Sequence, residues 1–204
     1  MTAATLGTVL LAYLPAAITP GPNFVLIAHT AATGTRRAAV AIALGVVAAG
    51  GLLAAVAVFG LGTVLARTPW LATALRVACG GYLAWLGIRL WRPPRPRPPG
   101  DPAKPTARRG NAFGRGVLSN LTNPKAAAFF GSVLTATLPP TEPTAVKAAA
   151  VALIVAASAG WHLSVALLFS SPATQRWYAR AEPALNRVVG TVLVVLGVIL
   201  ATTT

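Results

Sequence analysis

Apolar residues in this chain run on for about twenty positions at a stretch, without the polar face that a water-facing helix repeats every three or four residues. About twenty apolar residues are what a helix needs to cross a bilayer. Six stretches come up to that length, at roughly 4–32, 38–65, 70–91, 113–138, 144–170 and 186–203. Arg36–Arg37, Arg67–Thr68–Pro69 and Pro139–Pro140–Thr141–Glu142–Pro143 punctuate the short connections between them. The one long connection, Arg92 to Arg109, holds Pro93–Pro94–Arg95–Pro96–Arg97–Pro98–Pro99–Gly100, a density of proline that forbids helix and favours extended chain. The pattern predicts an all-α polytopic membrane protein, one transmembrane domain over 1–204. A three-helix half covers 1–91, a basic proline-rich loop 92–112 and a second three-helix half 113–204. No Lys or Arg precedes Arg36, so the first run lacks the positive start of a signal peptide and is expected to stay in the mature protein.

Two of the six stretches are interrupted in the middle. The first contains Thr19–Pro20–Gly21–Pro22–Asn23, and the fourth contains Ser119–Asn120–Leu121–Thr122–Asn123–Pro124–Lys125. Prolines remove backbone donors and break the hydrogen-bond ladder. Backbone groups freed at membrane depth must face protein or a watery cavity. The breaks fall in the first stretch of each half. Three spans per half is an odd number, so the second half would enter the membrane from the opposite side. That describes a 3+3 inverted repeat with both breaks near the midplane, the sequence sign of a transporter binding site. Thr19, Pro20, Gly21, Pro22, Asn23, Asn120, Asn123, Pro124 and Lys125 are therefore the candidate substrate-binding residues.

Charge sharpens this picture. Hydrophobic residues make up 55% of the chain and charged ones 10%, with a net charge of +14. Thirteen of the cations fall in the Arg36–Arg37 turn, the central stretch and the 171–185 connection with its flank, all on one side of the predicted topology. That side is expected to be cytoplasmic, with both termini outside. The basic stretches carry neither a reading helix nor a stacking platform, so nucleic acid is not an expected partner. The partners expected instead are the lipid bilayer, a small amino-acid-like substrate and further copies of the chain. Cys79 alone cannot form an intramolecular disulfide or a dithiol relay. No metal-ligand cluster, phosphate loop or nucleophile–base pair is legible, so no cofactor, metal or catalytic residue is assigned.

Lys125 is the sharpest single residue. A lysine inside a span is costly unless it finds a partner or water. The three acidic residues, Asp101, Glu142 and Glu182, all fall between the predicted spans. Carbonyls, amides, water or the carboxylate of a ligand are left to meet the charge. Trp161, His162 and Arg76 also lie within spans and are the further candidates for substrate contact, His162 also for carrying a proton.

Thr19–Pro20–Gly21–Pro22–Asn23, Gly34–Thr35–Arg36–Arg37–Ala38, Ala43–Leu44–Gly45, Gly80–Gly81–Tyr82–Leu83–Ala84–Trp85–Leu86–Gly87, Phe113–Gly114–Arg115–Gly116, Asn120–Leu121–Thr122–Asn123–Pro124–Lys125 and Trp161, in that order, resemble the LysE/RhtB family of amino-acid exporters. The likeness covers nearly the whole chain. It implies six spans in the bacterial cytoplasmic membrane and export of amino acids or their derivatives, driven by the proton gradient. Many members carry a polar or acidic residue just after the glycine that Gly50 resembles, where this chain has Gly51, Leu52 and Leu53. An inorganic-ion or other metabolite exporter of the same plan, and an intramembrane redox carrier, are the alternatives.

Overall fold

The computed structural model describes residues 2–91, 111–138 and 141–202. The proline-rich stretch and Pro139–Pro140 lie outside the described residues. Every described element is helical: α1 Thr2–Ile18, α2 Pro22–Thr33, α3 Arg36–Ala55, α4 Gly62–Arg67, α5 Pro69–Trp91, α6 Ala112–Leu121, α7 Pro124–Ala128, α8 Leu134–Thr137, α9 Thr144–Leu168 and α10 Pro172–Thr202. A π-helical segment, Val56–Leu61, joins α3 to α4, and a second, Phe129–Val133, joins α7 to α8.

Among the described residues four helices are long and apolar enough to cross a membrane: Arg36–Leu61, Pro69–Trp91, Thr144–Leu168 and Pro172–Thr202. The pair α1 and α2, bent by 54° at the expected break, makes a fifth if counted as one span. The sequence pattern predicts six. The stretch 113–138 accounts for the difference, because Asn123 and Pro124 stop α6 and start α7, and neither piece can cross alone. A correction concerns the last stretch, expected to begin at 186. The helix begins at Pro172 and runs through Pro183, so Arg176, Arg180 and Glu182 are helical rather than part of a connection. Proline inside a helix costs about 3 kcal/mol. Packing on both sides of it offsets that cost, with Tyr178 among aromatic rings and Asn186, Val189 and Gly190 buried.

Small residues set how closely the helices approach. α3 lies against α6 and α9, α5 against α10, and α1 against α9 and α10. A Cβ on Gly45 would stand 2.1 Å from the Phe113 carbonyl oxygen, and one on Gly116 would stand 2.0 Å from that of Ile42. α3 and α6 thus cross with their backbones in contact. α5 and α10 interlock in the same way, Gly80 facing Gly197 and Gly87 facing Gly190, where a Cβ on any of the four would stand 2.5–2.7 Å from the facing glycine's carbonyl oxygen. Such contacts replace the hydrophobic drive that helices in lipid lack. Many large apolar side chains, in turn, point outward. Trp70 and Trp91, at the two ends of α5, are 72% and 55% exposed. They stand about 32 Å apart along a helix axis, close to the thickness of a bilayer's hydrocarbon core.

Candidate functional site

In an unbroken helix the Thr19 carbonyl would accept the Asn23 N–H. The segment Pro20–Gly21–Pro22 breaks that ladder, α1 stops at Ile18, and α2 begins at Pro22. The Thr19 N–H and hydroxyl both donate back to the Pro15 carbonyl. The Thr19 carbonyl is then left at the negative end of α1.

The second break supplies its partner. The Asn123 side chain caps α7 by accepting the Lys125 N–H at 3.0 Å, and Pro124 takes the first helical position, where its missing N–H costs nothing. This places Lys125 in the first turn, from which its Nζ donates to the Thr19 carbonyl at 2.8 Å. Gly21 is extended, a conformation any residue adopts. What calls for a glycine here is the lysine: a Cβ would stand 3.1 Å from Lys125 Nζ.

Amides tie the breaks together beside the lysine. Asn23 Nδ2 donates to Asn120 Oδ1 at 2.9 Å, the Ser119 hydroxyl donates to Asn23 Oδ1 at 2.7 Å, and Asn120 Nδ2 donates to the Val46 carbonyl at 2.8 Å. Both oxygens of the pair are engaged within the protein, so Asn23 and Asn120 clamp α2, α6 and α3 as well as facing the cavity. Asn123 uses its oxygen in the cap, and its Nδ2 has no hydrogen-bond partner among the described residues.

Between the breaks lies a cavity of about 50 Å³, walled by Thr19, Gly21, Asn23, Asn120, Asn123 and Lys125. That volume holds a few water molecules. The rest of the wall includes Tyr13 and Ala16 of α1, Val46 and Gly50 of α3, Phe24, Phe129 and Phe130, and Ser158 and His162 of α9. The Tyr13 ring packs edge-on against Phe129 at 5.5 Å. His162 Nδ1 lies 2.9 Å from the Ser158 carbonyl and 3.2 Å from its hydroxyl; in the tautomer that donates to the carbonyl, which can only accept, Nε2 keeps its lone pair. Among the described residues no carboxylate lines the cavity.

Six of the nine candidate residues from the two breaks therefore meet in one place, and His162 joins them. Pro20, Pro22 and Pro124 shape the chain without lining the cavity. Trp161 and Arg76 do not reach it. The Trp161 ring stacks on Phe24 at 6.4 Å, in a cluster with Phe169 and Tyr178, and its buried Nε1 has no partner among the described residues. Arg76 lines two other cavities, nearer the Trp70 end of α5. Sequence reading gave no role to Phe24, Val46, Phe129, Phe130 or Ser158, which are apolar or common and carry no motif. Among the described residues no group of three or more His, Cys, Asp or Glu could hold a metal ion.

The LysE type translocator family model matches residues 14–204. The threonine efflux protein of Escherichia coli (strain K12) is 32% identical over 176 residues, covering 85% of each chain. The membrane protein YahN of the same strain is 31% identical over 177 residues, covering 85% of this chain and 78% of its own. The homoserine/homoserine lactone efflux protein of Salmonella typhimurium is 31% identical over 126 residues, covering 62% of this chain and 61% of its own. No solved structure matches the chain significantly. A match over nearly the full length, with the broken helices, small-residue crossings and outward-facing apolar surface of a membrane translocator beneath it, means that this chain belongs to the LysE type translocator family.

Proposed function

We propose that this protein exports amino acids of the threonine and homoserine class from the cytoplasm, by alternating access around the cavity between the two breaks. The observation that carries the reading is Lys125. One of its three ammonium hydrogens is on the Thr19 carbonyl, and two remain for a carboxylate. With no carboxylate among the described residues of the cavity wall, the α-carboxylate of a substrate is the natural counter-charge. The unpartnered Asn123 Nδ2 adds a donor on the same side. The α-ammonium finds an acceptor in His162 Nε2. Protonating His162 would remove that acceptor and set a second cation beside the ammonium, so a proton and the substrate compete for one site. This is the proposed coupling to the proton gradient.

The cavity is too small for an amino acid as it stands, so loading requires a wall to move. Phe129 and Phe130, in the π-helical turn, are the proposed moving wall, since such turns store an extra residue that can shift along a helix. Ala112–Thr137 is read as a single broken span, giving six spans in a 3+3 inverted repeat. The packing supports this: α3 lies on α9, α5 on α10, and each of α3 and α9 lies on the first half-helix of the opposite half, α6 and α1. The charge asymmetry supports a cytoplasmic central loop and external termini.

Threonine and threoninamide, compared in loaded proteoliposomes for wild type and Lys125→Met, test the assignment. Wild type should export threonine at least about ten-fold better than the amide, the worth of one charge-assisted hydrogen bond. Lys125→Met should bring threonine down to the rate of the amide and leave the amide unchanged. Independent losses, multiplying in the double comparison, would show that Lys125 and the carboxylate do not meet.

A further inference from the structure

Arg76 has no role in the site above, yet its place in the membrane needs one. It sits in α5 about 9 Å along the axis from Trp70, inside the apolar span. It has no hydrogen-bond or ion-pair partner among the described residues. A cation at that depth is retained for water or a ligand. Two cavities open on it. One, of about 180 Å³, lies between α4, α5, the second π-helical turn and α8, lined by Gly62, Leu65, Gly131, Ser132 and Thr135. The other, of about 430 Å³, is bounded by apolar residues such as Leu11, Val133 and Leu196.

The smaller cavity has the chemistry of a zwitterion site. A guanidinium meets a carboxylate through two parallel hydrogen bonds. Thr135 Oγ1 donates to the Gly131 and Ser132 carbonyls, and Ser132 Oγ donates to the Ala128 carbonyl. Both hydroxyl oxygens, with their hydrogens committed, are left as acceptors for an ammonium. The π-helical turn is a shared wall. Phe129 and Phe130 face the Lys125 cavity, while Gly131 and Ser132 face the Arg76 cavity. A Cβ on Gly131 would meet only Leu75 Cδ2, at 3.9 Å, so the turn has room to move against α5.

We propose that the cavity lined by Arg76, Ser132 and Thr135 is a second amino-acid site, which takes the substrate's carboxylate after it leaves Lys125 and holds it before release at the Trp70 end of the bundle. The inference rests on the export reading and on the orientation that puts this end outside. Movement of the shared turn opens one cavity to the other. External substrate reaches the second site first, so it should slow efflux by filling that site.

The test measures efflux of labelled threonine from loaded cells while unlabelled threonine is varied outside. In wild type, external threonine should slow efflux. Arg76→Gln should raise the half-inhibitory external concentration about ten-fold or more, one lost charge-assisted contact, while the internal KM stays within about two-fold. Arg76→Lys should recover part of the external sensitivity, and Lys125→Met should raise the internal KM instead. If Arg76→Gln does not accumulate, Thr135→Val carries the test and should weaken external inhibition with the same internal KM. Unchanged external inhibition in an abundant Arg76→Gln protein overturns the proposal, as does an equal change on both sides. Loss of a co-purifying phospholipid with unchanged threonine dependence also overturns it, by assigning the guanidinium to a lipid phosphate. Absence of threonine efflux from wild-type cells would sink the export reading and this proposal with it.

Discussion

Gly116→Ala adds one methyl group at the tightest helix crossing, and its consequence can be followed to the site. The new Cβ would stand 2.0 Å from the Ile42 carbonyl oxygen and must back off by about 1.4 Å to reach ordinary contact. The obstacle is backbone on both sides, so α6 and α3 have to part or tilt. Asn120 lies one turn further along α6, and its Nδ2 reaches the Val46 carbonyl, one turn along α3, at 2.8 Å. A rigid separation stretches that bond to about 4 Å, beyond hydrogen bonding. Overpacking costs about 1–3 kcal/mol, and stranding a buried amide costs about 1–3 kcal/mol more. Alanine's better helix propensity returns up to about 1 kcal/mol. The net loss of about 1–6 kcal/mol should lower the thermal midpoint of the purified protein by about 2 °C or more, with export reduced because the Asn23–Asn120 clamp loses its anchor. Gly160→Ala is the control: a Cβ there meets nothing within 4 Å. That variant should be as stable as wild type or slightly more so. If Gly116→Ala matched the Gly160→Ala protein in both midpoint and export, the close-crossing argument would be refuted.

Three further outcomes are expected. Gly21→Ala should insert and accumulate normally but export more slowly, because its Cβ pushes Lys125 Nζ off the Thr19 carbonyl by a few tenths of an ångström; an export rate equal to wild type would count against the lysine's placement. Asn23→Ala should lose both export and about 1–3 kcal/mol of stability, since it strands Ser119 and Asn120, and a stability unchanged in thermal melts would mean that the clamp bears no load. Cysteines placed at Pro96 and Thr106 should react with a membrane-impermeant reagent only after cells are opened, and labelling of intact cells would reverse the orientation read from the charges.

The two breaks, the half-helix beginning at Pro124 and the unusual standing of Lys125 were all readable from the chain. A missing proline N–H and a cation in an apolar run are local facts that no fold is needed to state. One boundary was misread. The run through Pro183 looks like a connection because proline and charge ordinarily end helices, yet packing at Tyr178 and Asn186 carries the helix across it. The fourth stretch passes a hydropathy reading, but its break divides it into pieces too short to cross alone.

By itself, then, the sequence determined that the protein is helical and embedded in lipid, that two of its helices are broken, and which residues flank the breaks. Those properties follow from the solvation and backbone chemistry of residues taken a few at a time. Only the tertiary structure decided what the flanking groups do. Lys125 finds the Thr19 carbonyl across 106 positions, and Asn120 finds the Val46 carbonyl across 74. It also turned Asn23 and Asn120 largely to clamping, set Trp161 among rings outside the cavity, and gave Arg76 cavities of its own. Such pairings depend on where glycines let one backbone touch another. The glycines are visible in the chain, but which of them face each other is a property of the assembled helices.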